Sequence, residues 1–154
     1  MHNRILGHTP LIEIDGIFAK LECLNPSGSI KDRIAHHIID ESVKLEKLKP
    51  GMTIIEATSG NTGIALCEYA IPKGYKVIII MPSDMTQERK DAIQNCGGKL
   101  ILCSEGDFAE AIRIRDEETS KNAPRYFNPD QFSNPLNVEC HRLATAKEIL
   151  NQLP

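Results

Sequence analysis

Lys31, in the run Asn25-Pro26-Ser27-Gly28-Ser29-Ile30-Lys31-Asp32-Arg33, stands at the opening of an amphipathic helix, where a cation is electrostatically misplaced. The positive end of a helix dipole opposes an ammonium by about 0.3–1 kcal/mol at exposed sites. Together with burial, that bias favours the neutral amine, the form that attacks a carbonyl to make a Schiff base. Taken alone, the residue is also compatible with a solvated lysine beside Asp32 and Arg33. The Pro26-Ser27-Gly28-Ser29 turn argues against that, because it aims the first helical turn at a ligand and not at bulk water.

A second segment, Thr58-Ser59-Gly60-Asn61-Thr62-Gly63, reads as a strand-to-helix turn able to hold an anion. Its glycines allow close backbone approach, Thr58, Ser59 and Thr62 add hydroxyl donors, and the amides that open the next helix point outward, a combination suited to a carboxylate or phosphate. The Asn61 amide suits a phenolate-type oxygen. A tight turn with a hydroxyl cap is the plainer alternative. The Gly-Lys-Ser/Thr ending of a nucleotide-binding loop is missing. A nucleophilic lysine and an anion-holding loop in one chain point to pyridoxal-phosphate chemistry.

The elements that must position these residues follow from periodicity. Apolar runs Pro10 to Ile14 and Ile17 to Leu21 flank Asp15-Gly16, a hairpin signal. A helix is expected from about Ser29 to Leu48, with Ser29 and Asp32 placed as a capping box and Ile30, Ile34, Ile38, Leu45 and Leu48 as its apolar stripe. Strands at Thr53–Ala57, Lys76–Met81, Lys99–Cys103 and Arg125–Phe127 then alternate with helices near 61–72, 86–95, 108–121 and from Pro135 to the end. Gly97-Gly98 caps the second of these helices. Such alternation predicts an α/β domain over residues 1–154, a parallel sheet covered by helices on both faces. Ligands in such sheets sit beyond the carboxyl ends of the strands, where both candidate loops lie.

Composition narrows the function classes. The 154 residues are 41% hydrophobic and 25% charged, ordinary for a soluble domain. A net charge of −3, no Trp and 5% aromatics leave no footprint for nucleic acid. The longest apolar run, Val77 to Met81, is far short of the roughly 20 residues a membrane span needs. Met1-His2-Asn3-Arg4 leads into a turn-rich segment with no secretory leader pattern. Five cysteines without a Cys-x-x-Cys pair argue against a disulfide framework or zinc ribbon, and for a reducing cytoplasm. His36-His37 and Cys140-His141 are neighbours that face different ways on a helix, so neither is read as a metal or nucleophile pair. Glu117-Glu118 and Arg113 with Arg115 read as a solvated helix face.

The lysine segment resembles that of the cysteine synthase (O-acetylserine sulfhydrylase) and cystathionine β-synthase family of fold-type II pyridoxal-phosphate enzymes. Glu56-Ala57-Thr58-Ser59-Gly60-Asn61-Thr62-Gly63 resembles the family's substrate loop, and Gly7-His8-Thr9-Pro10-Leu11 its N-terminal signature. Met81-Pro82, Glu88-Arg89, Gln131-Phe132 and Asn134-Pro135 agree in order and spacing. The resemblance implies that Lys31 carries pyridoxal 5'-phosphate as a Schiff base and later serves as the base at Cα. It implies that Asn61 bonds the 3'-oxygen of the cofactor, and that Thr58, Ser59, Gly60, Asn61, Thr62 and Gln131 hold the substrate, chiefly its carboxylate. No metal is implied. The reaction would be β-replacement on O-acetylserine by sulfide, in an enzyme that is a homodimer at full length.

Family members are considerably longer. The glycine- and threonine-rich loop that cups the cofactor phosphate, and the hydroxyl residue at the pyridine nitrogen, fall beyond the point where this chain stops. The chain thus looks like the N-terminal half, with most of the C-terminal domain absent. The hairpin at 10–21 and the helix at 135–152 would pack on that domain. The alternatives are a truncated, non-catalytic homologue acting as a binding module, and a cystathionine β-synthase-type activity. Thr145-Ala146-Lys147-Glu148-Ile149 departs mildly from the family's usual Thr-Gly-Pro-Glu-Ile.

Overall fold

Ile54 and Ile55 are neighbours on one strand, both almost wholly buried, and they enter two different cores. A strand whose successive side chains are covered on opposite sides needs helices on both faces. The computed structural model describes residues 5–154 and supplies them. The leader reading of Met1-His2-Asn3-Arg4 lies outside the described residues.

Four parallel strands among the described residues, β3 (Thr53–Ala57), β4 (Lys76–Pro82), β5 (Lys99–Cys103) and β6 (Tyr126–Phe127), are ordered β5-β4-β3-β6. Helices α1 (Lys31–Lys44), α2 (Asn61–Ala70), α3 (Gln87–Asn95) and α5 (Pro135–Cys140) pack together over one face, and α4 (Phe108–Lys121) covers the other. The first core gathers Ile34, Ile38, Leu66 and Ile79; the second gathers Ile55, Ile80 and Ala111. Each fully buried aliphatic side chain contributes about 2 kcal/mol. A separate hairpin, β1 (Leu11–Ile14) with β2 (Ile17–Lys20), turns through Asp15 and Gly16 at φ 50° and 79°. Both central residues at positive φ is the turn that matches strand twist. No helix among the described residues is long and apolar enough to cross a membrane.

Most expected elements form where periodicity places them, with three differences. Helix α1 stops at Lys44, before Leu48. Glu46 adopts φ 55°, Glu46 N–H bonds the Val43 carbonyl at 3.0 Å and Lys47 N–H the Ser42 carbonyl at 2.8 Å. This is a Schellman closure, usually built on glycine. Leu48 is still buried, but Leu45 and Ile30 are exposed. The final helix is interrupted by a π turn, His141–Thr145, between α5 and α6 (Ala146–Gln152). Arg115 is not solvated: it is 5% exposed and its guanidinium bonds the carboxylate of Glu56, which is 0% exposed, at 3.0 Å.

Two buried charge clusters tie these layers together. In the first, the Arg33 guanidinium donates to both oxygens of Glu22 at 2.6 and 2.8 Å and to both oxygens of Glu148 at 2.8 Å. Lys20 reaches the same Glu148 at 2.8 Å, and Gln152 as well. Helix α1, the hairpin and α6 are thereby joined at one point. Arg33 holds the carboxyls of Glu148 and Glu22 below the usual carboxylate range. In the second cluster, Glu56 accepts from Arg115, from Ala57 N–H at 2.9 Å and from Gln131 N–H at 3.1 Å. Burial nevertheless raises its carboxyl above the ordinary value.

Two outcomes follow for stability. Glu148→Ala removes two charge-assisted bonds from Arg33, leaves it paired with Glu22 alone, and should cost about 2 kcal/mol at pH 7 in urea unfolding. Because the folded carboxyls are depressed, their contribution is complete above the ordinary value of 4.5 and declines as pH falls below it. The gap between wild type and variant should therefore close in acid. Arg115→Met should cost about 3 kcal/mol by leaving Glu56 buried and unpaired, and Glu56→Gln/Arg115→Met should recover much of that loss in the same measurement.

Candidate active site

A cavity of about 270 Å³ opens at the carboxyl edge of the sheet. Each part of its wall follows the end of a strand or begins a helix. The turn after β3 supplies Thr58, Ser59, Asn61 and Thr62; α3, after β4, supplies Arg89; α4, after β5, supplies Phe108. The loop after β6 supplies Gln131 and Phe132, and the start of α1 supplies Lys31. The structure thus brings together Lys31, Thr58, Ser59, Asn61, Thr62 and Gln131. Gly60 shapes the turn between them. The wall holds two cations, Lys31 and Arg89, and no carboxylate.

Lys31 is placed by a reciprocal cap. Its N–H bonds the Ser29 hydroxyl at 3.2 Å, while the Asp32 carboxylate reaches back to Ser27 N–H at 3.1 Å and Ser29 N–H at 3.4 Å. Asp32 is almost wholly buried, and burial raises its carboxyl against the pull of those bonds. Lys31 itself is half-buried. Among the described residues no hydrogen bond or ion pair holds its amine, although burial and the charges of Lys31 and Arg33 depress the His141 imidazole.

The turn after β3 is tight for identifiable reasons. Gly60 has φ 150°, a conformation other residues avoid, and its N–H bonds the Thr58 hydroxyl oxygen at 3.3 Å. A side chain at Gly63 would press on Thr58 and Ile79 at 3.0–3.2 Å, so glycine there lets α2 lie close on β4. Thr62 donates its hydroxyl to the side-chain Oε1 of Gln131 at 2.6 Å. That bond uses the Thr62 proton and leaves the Gln131 NH₂ as the donor available to the cavity. The Asn137 side-chain amide donates to the Gln131 backbone carbonyl at 2.9 Å, and the Glu56 carboxylate accepts the Gln131 backbone N–H at 3.1 Å.

Phe108 and Phe132 form an edge-to-face pair with centroids 6.0 Å apart at the cavity rim. Sequence reasoning assigned no role to Phe108, Arg89 or the Glu56–Arg115 pair. For Glu56 a signal exists: a carboxylate inside a strand buried at all five positions demands a partner. Cys140 and His141 do not pair. The Cys140 thiol donates to the Arg33 carbonyl at 3.2 Å and is pushed up to about 11 by burial, while His141 Nδ1 meets Thr145 Oγ1 at 2.9 Å.

With this geometry in place, likeness to other proteins carries weight. A cysteine synthase from Staphylococcus aureus is 41% identical over 157 residues, which cover 97% of this chain and 50% of that protein. The structure of a cysteine synthase from Entamoeba histolytica superposes with a TM-score of 0.90 at 40% identity, covering 98% of this chain and 49% of the other. An O-acetylserine dependent cystathionine β-synthase from Helicobacter pylori also gives 0.90, at 35% identity, covering 96% and 52%. The chain spans about half the length of the curated relatives it matches. The family model described as pyridoxal-phosphate dependent enzyme matches residues 3–154, and the chain belongs to that family, with the fold of its fold-type II members.

Proposed function

We propose that this chain contributes the cofactor-lysine half of an enzyme that makes cysteine from O-acetylserine and sulfide, releasing acetate. The observation that carries the reading is the unbonded amine of Lys31, opening into the same acid-free cavity as the Thr58–Thr62 turn and Gln131. The donor set fits pyridoxal 5'-phosphate in part. Lys31 suits the aldehyde, Asn61 suits the 3'-oxygen, and a doubly cationic wall suits an anionic cofactor. No loop among the described residues is assigned to its phosphate. When bound, the cofactor supplies an electron sink for charge developing at Cα.

The residues of the chain do the rest. The amides that open α2, the Ser59 and Thr58 hydroxyls and the Gln131 NH₂ would grip the substrate carboxylate and fix the face presented to Lys31. The Lys31 amine would serve as the base that takes the Cα proton. The Phe108–Phe132 pair narrows the mouth and limits water. Ile14, Ile17 and Phe18 on the hairpin and Leu143 and Leu150 near the end of the chain are exposed. We assign these apolar side chains to packing against the further domain that longer relatives have, and a homodimer to the complete enzyme. A second reading keeps the O-acetylserine donor but uses a thiol acceptor of the homocysteine type, favoured by the likeness to the Helicobacter pylori protein.

Absorbance tests the reading. Excess pyridoxal 5'-phosphate should give a band near the visible edge that Lys31→Ala abolishes and that weakens on dialysis. Adding O-acetyl-L-serine should shift or bleach the band, and sulfide should restore it. A homocysteine-specific recovery would select the second reading, and a band unchanged by Lys31→Ala would remove both.

A further inference from the structure

Arg89 lies apart from the residues read as the substrate loop, yet it touches that loop at its most deformable point. Its Nη1 donates to the Ser59 carbonyl at 3.2 Å. Its methylenes lie flat over Gly60: a β-carbon there would fall 2.7 Å from Arg89 Cδ and 3.2 Å from Cγ. The Ser59 C=O and the Gly60 N–H belong to one peptide plane. Arg89 holds the oxygen end of that plane and the Thr58 hydroxyl holds the nitrogen end. Glycine on one side makes such a plane easy to rotate, and the amides at the start of α2 follow directly from it. Ser59 is exposed, so the backbone has little side-chain packing to hold it there.

The charge of Arg89 is also uncommitted. No carboxylate pairs with it among the described residues, although α3 carries Glu88 and Asp91, and Arg89 borders the cavity that contains no acid. Here the guanidinium braces the loop with one nitrogen and leaves its remaining donors and its charge at the cavity rim.

We infer that Arg89 is a positioning residue for the anion-holding turn: it locks the Ser59–Gly60 peptide so that the α2 amides face the cavity, and it thereby sets the affinity for the carboxylate of an amino-acid ligand. This rests on the proposal that the Thr58–Thr62 turn receives such a carboxylate.

Two measurements on the whole chain separate the inference from that proposal. Without ligand, amide hydrogen exchange at Gly60, whose N–H bonds the Thr58 hydroxyl, and at Ile64, whose N–H bonds the Gly60 carbonyl, should quicken about tenfold in Arg89→Ala and stay within about threefold of wild type in Arg89→Lys, which can keep one bond to the Ser59 carbonyl. Amides of Ile54 and Ile55 should not change, which excludes global destabilisation. With O-acetyl-L-serine as the probe, read from the same amide resonances, Arg89→Ala should weaken binding about tenfold and Arg89→Lys should restore most of it. Unchanged exchange in Arg89→Ala, or equal acceleration at Ile54, overturns the role of Arg89. Absence of O-acetyl-L-serine binding in the wild type overturns the carboxylate reading, and the exchange result still decides whether Arg89 holds the loop.

Discussion

The buried guanidinium of Arg33 is the constraint on which the rest of the chain depends. It sits two positions beyond Lys31 on the first turn of α1, with its side chain 2% exposed. A charge so placed must be neutralised and bonded or it would destabilise the fold by several kcal/mol. The carboxylates that satisfy it come from Glu22, just after the hairpin, and from Glu148 on the last helix. A single electrostatic requirement therefore brings the two ends of the described chain against the helix that carries the candidate nucleophile. Gly7 belongs to the same arrangement, because a side chain there would meet Glu148 at 3.0 Å and Arg33 at 3.1 Å. Gly7 and Thr9 of the N-terminal signature thus pack around Arg33.

The other side of the cavity is organised by a second buried charge through a chain of bonds. Arg115 on α4 neutralises Glu56 on β3, Glu56 holds the Gln131 backbone, and Gln131 takes the Thr62 hydroxyl. Three segments distant in sequence, α4, the β3–α2 unit and the loop after β6, are aligned by three contacts. The Thr62 hydroxyl proton is engaged by Gln131 Oε1, which leaves the Gln131 NH₂ as a donor beside the cavity. Rigid support of this kind is what allows a turn at the edge of a sheet to act as a binding surface.

Much of this was legible in the sequence. The βα alternation, the hairpin turn at Asp15-Gly16 and the glycine cap at Gly97 are each set by local rules, and each forms as read. Asn61 and Gln131 meet because residues after parallel strands converge at one edge, and Lys31 reaches that edge from the start of α1. What escaped reading depended on distant partners. Arg115 sits among charges on α4 and looked solvated; only Glu56, 59 positions away, makes it a core residue. The end of α1 escaped for a different reason. Leu48 keeps the helical period and is buried, but it reaches the core from beyond a Schellman turn closed by Glu46, a residue with no intrinsic preference for that conformation. The π turn at His141–Thr145 likewise left no mark in the hydrophobic pattern.

The family membership fixes the cofactor chemistry, and the cavity joins a free lysine to an anion-holding turn within a chain about half the length of its curated relatives. The central claim is that this particular lysine, among all those in the chain, forms the bond to the cofactor. Borohydride reduction in the presence of pyridoxal 5'-phosphate, followed by peptide mass mapping, tests it most directly. The pyridoxyl group is expected on the peptide containing Lys31 at a substoichiometric amount of reagent. Label spread evenly over exposed lysines such as Lys44 and Lys121, with Lys31 spared, would contradict it.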